Sequence, residues 1–206
     1  MATPEAAPGL DPRKLEVELR GNRLIGRRII VLPSVTSTND TVFEMAKDGA
    51  EEGLVVFAEE QTAGRGQRGQ RWESATGKGL WFSMLLFPDL CPAESPRLTD
   101  WAAHSVANCI NQQLGLGATV KPPNDVYIAA RKVAGILVEM RARPGQPHLA
   151  VSGIGLNVNQ DESEFPPALR DKAGSLATAA SRAIDRQSLA CALLWRLDQD
   201  YAAAFG

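Results

Sequence analysis

Between residues 118 and 158 four short apolar runs follow one another almost without interruption: 118–121, 126–128, 133–140 and 149–158. Only Ala130-Arg131 and the stretch 144–147 separate the later ones. A parallel neighbour needs a crossover of a dozen or more residues, so links this short force antiparallel hairpins. An all-helical bundle and a wholly parallel sheet are thereby excluded.

The remaining segments build on that sheet. Residues 27–32 predict a strand stopped by Pro33. Ser34-Val-Thr-Ser-Thr-Asn-Asp40 leads into a stretch with Val42, Met45 and Ala46 on one side and Gly49 at its end, the pattern of a capped helix. Residues 54–58 and 79–87 predict buried strands, 97–114 a helix packed by one face, 160–172 a loop, and 187–205 a closing amphipathic helix. The expected class is α/β of the α+β type, a mixed, largely antiparallel sheet flanked by helices. Residues 1–26 are expected to form a mobile leader and lead-in, with one domain over 27–206; there is no internal repeat and no dividing linker.

Composition narrows the function. With 22 basic and 24 acidic residues the chain has no global positive field to gather nucleic acid, so no DNA partner is expected. Cys91, Cys109 and Cys191 are odd in number and widely spaced, which favours a reducing compartment. His104 and His148 lie far apart and belong to no ligand cluster, so no metal site built from protein alone is expected. The apolar run 80–87 is too short to span a bilayer, and the opening residues lack a basic and an apolar region. A cytoplasmic, non-membrane protein is the expectation.

Four constellations could carry chemistry. In Gln61-Thr-Ala-Gly64-Arg65-Gly66-Gln67-Arg68-Gly69-Gln70-Arg71-Trp72, glycines let backbone N–H groups approach an anion while three arginines offer charged forks. The bland alternative is a solvated loop. Its Gly-x-Gly-x-x-Gly has no helix after it, as a dinucleotide site requires, and Gly77-Lys78-Gly79 lacks the phosphate-loop spacing. Thr36-Ser37-Thr38-Asn39 is either a helix cap or a set of donors for a polar ligand. Lys121-Pro122-Pro123-Asn124-Asp125 is a turn, or a device presenting an amide beside a carboxylate. Lys132, Gly135, Gly153, Gly155 and Asn157 lie in the strand runs, where glycines mark bulges or close approach and Lys132 is an edge residue or a charge aimed at the same anion.

Taken together and in this order, these segments resemble biotin protein ligases. The resemblance rests on Ser37-Thr38-Asn39, the loop from Gln61 to Trp72, Lys121-x-Pro123-Asn124-Asp125, Arg131-Lys132-Val-Ala-Gly135-Ile-Leu-Val-Glu139 and Gly153-Ile-Gly155-Leu-Asn157, and spans about residues 30–160. It implies a catalytic domain related to class II tRNA synthetase cores, with ATP and biotin as substrates, Mg²⁺ carried by the nucleotide near Asp125, and a biotin carboxyl carrier domain as partner. On that likeness Ser37, Thr38 and Gln61 would hold the ureido ring with Asn39 nearby. Gly64, Arg65, Gly66 and Gln67 would close over the carboxylate, and Gly135 and Gly153 would floor the pocket. Lys132 would face the acyl phosphate. Arg68, Trp72, Asn124 and Asn157 would lie on the adenylate side, and Asp125 near the attacking lysine. Arg65, Arg68, Lys132 and Asp125 form the implied catalytic set.

Departures from the pattern carry expectations of their own. Gln67 and Gln70 stand where the family commonly has arginine, which implies looser retention of the activated intermediate, and Pro122 replaces a usual tryptophan. Neither a winged-helix domain before the first strand nor an SH3-like barrel after the last helix is expected within the chain. A lipoate or octanoyl ligase or transferase on the same fold, or a non-catalytic biotin or adenylate binder, are the alternatives. A monomer or a sheet-extending homodimer is the expected assembly.

Overall fold

The computed structural model describes residues 9–143, 145 and 147–206. Seven strands form one sheet in the order β1-β2-β3-β7-β6-β5-β4, with β1 Arg28–Leu32, β2 Leu54–Ala58, β3 Gly79–Leu86, β4 Thr119–Lys121, β5 Asp125–Ile128, β6 Arg131–Arg141 and β7 Leu149–Asn157. Only β1 and β2 run parallel; every other strand pairing is antiparallel, as the short links require for the hairpins from β4 to β7. Pro144 and Gln146 of the β6–β7 link lie outside the described residues.

Alternation along the central strands gives the sheet two unlike faces. Leu80, Phe82, Met84 and Leu86 of β3, Ala134 and Ile136 of β6, and Ala150, Ile154 and Leu156 of β7 face one way. They meet α3 (Ser95–Leu114) and α5 (Arg186–Phe205), which supply Leu98, Trp101, Val106, Ile110, Leu189, Leu193 and Leu197. On the other face α2 (Thr38–Lys47) lays Val42 and Phe43 over Leu54, Val56, Leu85 and Val151. Beyond that small apolar cluster the same face carries Ser83, Gly135, Gly153 and Gly155 and is left open to ligand.

Residues 9–26 depart from the expected mobile leader. Asp11 caps α1 (Pro12–Glu18), accepting from the amides of Arg13 and Lys14, and Leu10, Leu15 and Leu19 are buried in the main core. Farther along, Asp198 of α5, 1 % exposed, accepts from the backbone N–H groups of Arg23, Leu24 and Ile25, each at 2.8 Å. Three donors converge on one buried carboxylate, so an Asp198→Ala protein is expected to lose at least about 3 kcal/mol of stability. Thermal melting would show it as a fall of roughly 10 °C. The segment 160–172, expected to be loop, holds two single 3-10 turns, and beyond it lies a short helix α4 (Leu176–Ala180), capped by Ser175.

Candidate active site

The open face of the sheet floors a cavity of about 300 Å³. Three glycines make the floor flat. A Cβ on Gly153 would lie 2.2 Å from Asn39 Oδ1, one on Gly155 2.4 Å from the Trp72 indole, and one on Gly135 2.8 Å from the same ring. Close approach explains all three; the one register shift between β5 and β6 leaves Val133 of β6 without a partner opposite the Val126–Tyr127 step, two residues before Gly135, which itself pairs with Asp125.

One end of the cavity is polar and tightly held. Thr38 donates to Gln61 Oε1 through both its backbone N–H, at 2.9 Å, and its hydroxyl, at 3.1 Å. Ser83, fully buried on β3, sits 2.7 Å from Thr38 Oγ1 and 2.6 Å from Asn39 Oδ1; the amide oxygen can only accept, so the serine proton goes to Asn39 and the Thr38 hydroxyl, turned toward Ser83, can supply the other bond while its backbone N–H keeps Gln61. Asn39 Nδ2 donates to Leu137 O and to Glu139 Oε2. Ser37 occupies the cap position of α2, yet its side chain makes no cap hydrogen bond and lines the cavity instead. The cluster thus does more than start a helix: its side chains build a hydrogen-bonded polar wall at this end of the cavity.

The glycine- and arginine-rich loop folds back on itself above that wall. Trp72 N donates to Gly64 O and Gly66 N to Gln70 O, which brings the arms so close that a Cβ on Gly64 would lie 2.7 Å from Trp72 O. Gly64 itself sits behind the lining residues Arg65 and Gly66, at the point where the two loop arms approach each other. Arg65 lines the cavity and forks onto Asp40 at 2.5 and 2.8 Å, with Glu139 at 3.1 Å. That pairing holds the Asp40 carboxyl below its ordinary value and raises the Arg65 guanidinium, so the pair persists at neutral pH and is lost only on strong acidification. Arg68, in the left-handed region at φ 57°, and Gln67 also reach the cavity.

At the opposite end Lys132 Nζ lies 2.6 Å from Asp125 Oδ1 and 5.3 Å from the centre of the Trp72 ring. Backbone bonds to Lys172 O and from Gly174 N hold the Lys132 main chain. Asn124 is buried and cross-linked to Ile136 through both backbone and side chain, which fixes Asp125 on the rim. Asp125 is the one carboxylate among the residues lining the cavity. Beyond Trp72 and Lys132 a second cavity of about 260 Å³ is lined by Tyr127, Asn157, Phe165, Leu169 and Lys172. Asn157 lies there and not in the first cavity; its amide donates to Gly174 O and accepts from Gln160, so it also fastens the 160–174 segment.

Every other residue expected at the site lines the first cavity: Ser37, Thr38, Asn39, Gln61, Arg65, Gly66, Gln67, Arg68, Trp72, Asn124, Asp125, Lys132, Gly135 and Gly153. Ser83, Asp40 and Glu139 are additions. A lone hydroxyl inside the apolar run 79–87 is the signal that could have marked Ser83; the acids pair with a residue 25 and 74 positions away, which spacing does not reveal. Among the described residues no group of three His, Cys, Asp or Glu could hold a metal, and no helix is long and apolar enough to cross a membrane.

The chain is similar to known proteins in both sequence and fold. Residues 31–157 match the Biotin/lipoate A/B protein ligase family. The chain is 38 % identical over 194 residues to the Bifunctional ligase/repressor BirA of Bacillus subtilis (strain 168), covering 92 % of this chain and 60 % of that protein. It is 32 % identical over 199 residues to the Biotin--[acetyl-CoA-carboxylase] ligase of Mycobacterium tuberculosis (strain ATCC 25618 / H37Rv), covering 93 % and 70 %. The biotin protein ligase of Aquifex aeolicus, solved in complex with biotin and ATP, superposes with a TM-score of 0.74 at 30 % identity, over 85 % of this chain and 71 % of that one. The chain thus spans about three fifths of the Bacillus relative. By the family match over its central 127 residues and by these relatives, the chain belongs to the biotin/lipoate A/B protein ligase family.

Proposed function

We propose that this chain is a biotin protein ligase: it joins biotin to ATP as biotinyl-5′-adenylate and passes the biotinyl group to a lysine of a biotin carboxyl carrier domain. The observation that carries this reading is the polar wall of buried Thr38, Asn39 and Ser83 with half-buried Gln61, facing a glycine floor. A ureido ring needs fixed donors and acceptors on its edges, whereas a linear acyl chain gains nothing from them.

The chemistry asks little of covalent catalysis. Attack of the biotin carboxylate on the α-phosphorus joins two anions and releases pyrophosphate, so fixed positive charge near the new bond lowers the barrier. Arg65 enters from the loop and Lys132 from the opposite rim, while Arg68 lies on the loop between them. Trp72 divides the two cavities and gives the second one an aromatic wall suited to adenine. With a single carboxylate, Asp125, on the wall, these residues fit Mg²⁺ carried by the nucleotide phosphates rather than held by a protein cage, and it would supply charge neutralisation there. In the second half-reaction the carrier amine displaces AMP, and Asp125 stands at the rim where that amine would lose its proton.

The direct test supplies ATP, Mg²⁺ and a carrier domain with biotin, lipoate or octanoate in parallel, scoring pyrophosphate and acylated carrier separately. Biotin-dependent release of both supports the reading; preference for lipoate or octanoate, or binding without pyrophosphate, sinks it. Gln67 lines the cavity where the family pattern places an arginine. A Gln67→Arg protein is accordingly expected to release biotinyl-adenylate about tenfold more slowly, through one added charge-assisted hydrogen bond. An unchanged dissociation rate would refute that role for the position. In solution we infer a monomer or a dimer built on an edge strand, β1 or β4, in the cytoplasm.

A further inference from the structure

Glu139 has no part in the roles above, yet one of its oxygens holds two groups of the site. Oε2 accepts from Asn39 Nδ2 at 2.7 Å and from Arg65 Nη2 at 3.1 Å. Asn39 belongs to the buried recognition wall; Arg65 belongs to the loop that covers it. Asp40, the next residue along α2, takes the Arg65 fork end-on through both oxygens. Of the five N–H donors of the guanidinium, the two carboxylates engage three and leave two. Arg65 lines the cavity whereas neither Asp40 nor Glu139 does, so the guanidinium spans the rim with its anchors outside.

An unbroken hydrogen-bonded chain therefore runs from the polar end of the cavity to the loop: Gln61, Thr38, Ser83, Asn39, Glu139, Arg65. We propose that Glu139, together with Asp40, is a positioning residue that couples the seating of a ligand's polar head on this wall to the placement of Arg65 over its carboxylate. The proposal rests on the biotin ligase reading and adds to it the way the loop arginine is set. Fixing a long side chain in advance lowers the ordering cost when ligand arrives. Charge alone acts the other way. Two carboxylates around one guanidinium leave the trio net negative, and a negative group near an anionic ligand repels it. Removing the Glu139 charge therefore weakens binding if placement is its role and strengthens binding if simple electrostatics dominates.

The test is a double-mutant cycle on the full chain, read by biotin affinity and by dissociation of biotinyl-adenylate, with Glu139→Gln, Arg65→Met and the pair. Glu139→Gln is expected to weaken biotin about tenfold, mainly through faster release. In the Arg65→Met background the same change is expected to add almost nothing, because its effect passes through Arg65. Asp40→Asn, which touches Arg65 but not Asn39, is expected to repeat the pattern and serves if Glu139→Gln folds poorly. The KM for ATP stays at its wild-type value in Glu139→Gln and in Asp40→Asn. Tighter or unchanged biotin binding in Glu139→Gln, or losses that add in the pair, would overturn the coupling while leaving the ligase reading intact. Wild-type protein that neither binds nor activates biotin would overturn both.

Discussion

A Lys132→Met protein is expected to form biotinyl-adenylate about 10²- to 10³-fold more slowly than wild type, the scale set by removing one fixed donor at a developing negative charge. Lys132 is well placed for that loss to be chemical. Its ammonium lies 2.6 Å from Asp125 and above the Trp72 ring, and its backbone is bonded on both sides to the 172–174 segment. Methionine keeps most of the apolar stem against Trp72, so packing survives while the charge disappears. Biotin affinity should fall far less than the rate of biotin-dependent pyrophosphate release, because the polar wall is at the other end of the cavity. Lys132→Arg is expected to remain slow, since a planar fork cannot take the place of a compact ammonium wedged between a carboxylate and an indole. Pyrophosphate release within about tenfold of wild type in Lys132→Met would remove Lys132 from the reaction.

How far such a site can be read in a sequence depends on the range of the interactions that make it. The sheet was legible because its signals are local: links of a few residues between the later strands admit only antiparallel pairing. Gly135, Gly153 and Gly155 were legible as points of close approach, since an unbranched position inside an apolar run needs a reason. What approaches them was not. Trp72 lies 63 residues before Gly135 and 83 before Gly155, Asn39 lies 114 before Gly153, and no periodicity links them to the floor.

The misses share that cause. Asp11 followed by Pro12 is a fair start for a helix, but α1 is short, and it is burial of Leu10, Leu15 and Leu19 under distant elements that makes it ordered. At Gly64 the glycine-rich composition was legible, but the chain reversal that brings Trp72 back onto it is a backbone event that composition does not record.

Gly153→Ala puts the floor itself to the test and is expected to weaken biotin at least about a hundredfold, the cost of misplacing binding groups by around an ångström. The added methyl would lie 2.2 Å from Asn39 Oδ1 and 3.0 Å from its Cγ, so one of the two residues must move. The strand cannot readily yield, because Gly153 is paired to Ser83 on one side and to Leu137 on the other. Asn39 is the group that shifts, and it is 3 % exposed with bonds to Ser83, Leu137 and Glu139. Its displacement breaks the wall and drags Thr38, its neighbour on the first turn of α2. Overpacking of this kind should also cost about 1–3 kcal/mol of stability. Gly153→Ala combined with Asn39→Ala separates the two effects. Removing the amide relieves the clash, so the melting temperature should recover while biotin affinity stays low, because the wall has lost its asparagine. Biotin binding within about threefold of wild type in Gly153→Ala would mean that the head group is held elsewhere and that the buried network serves the fold alone.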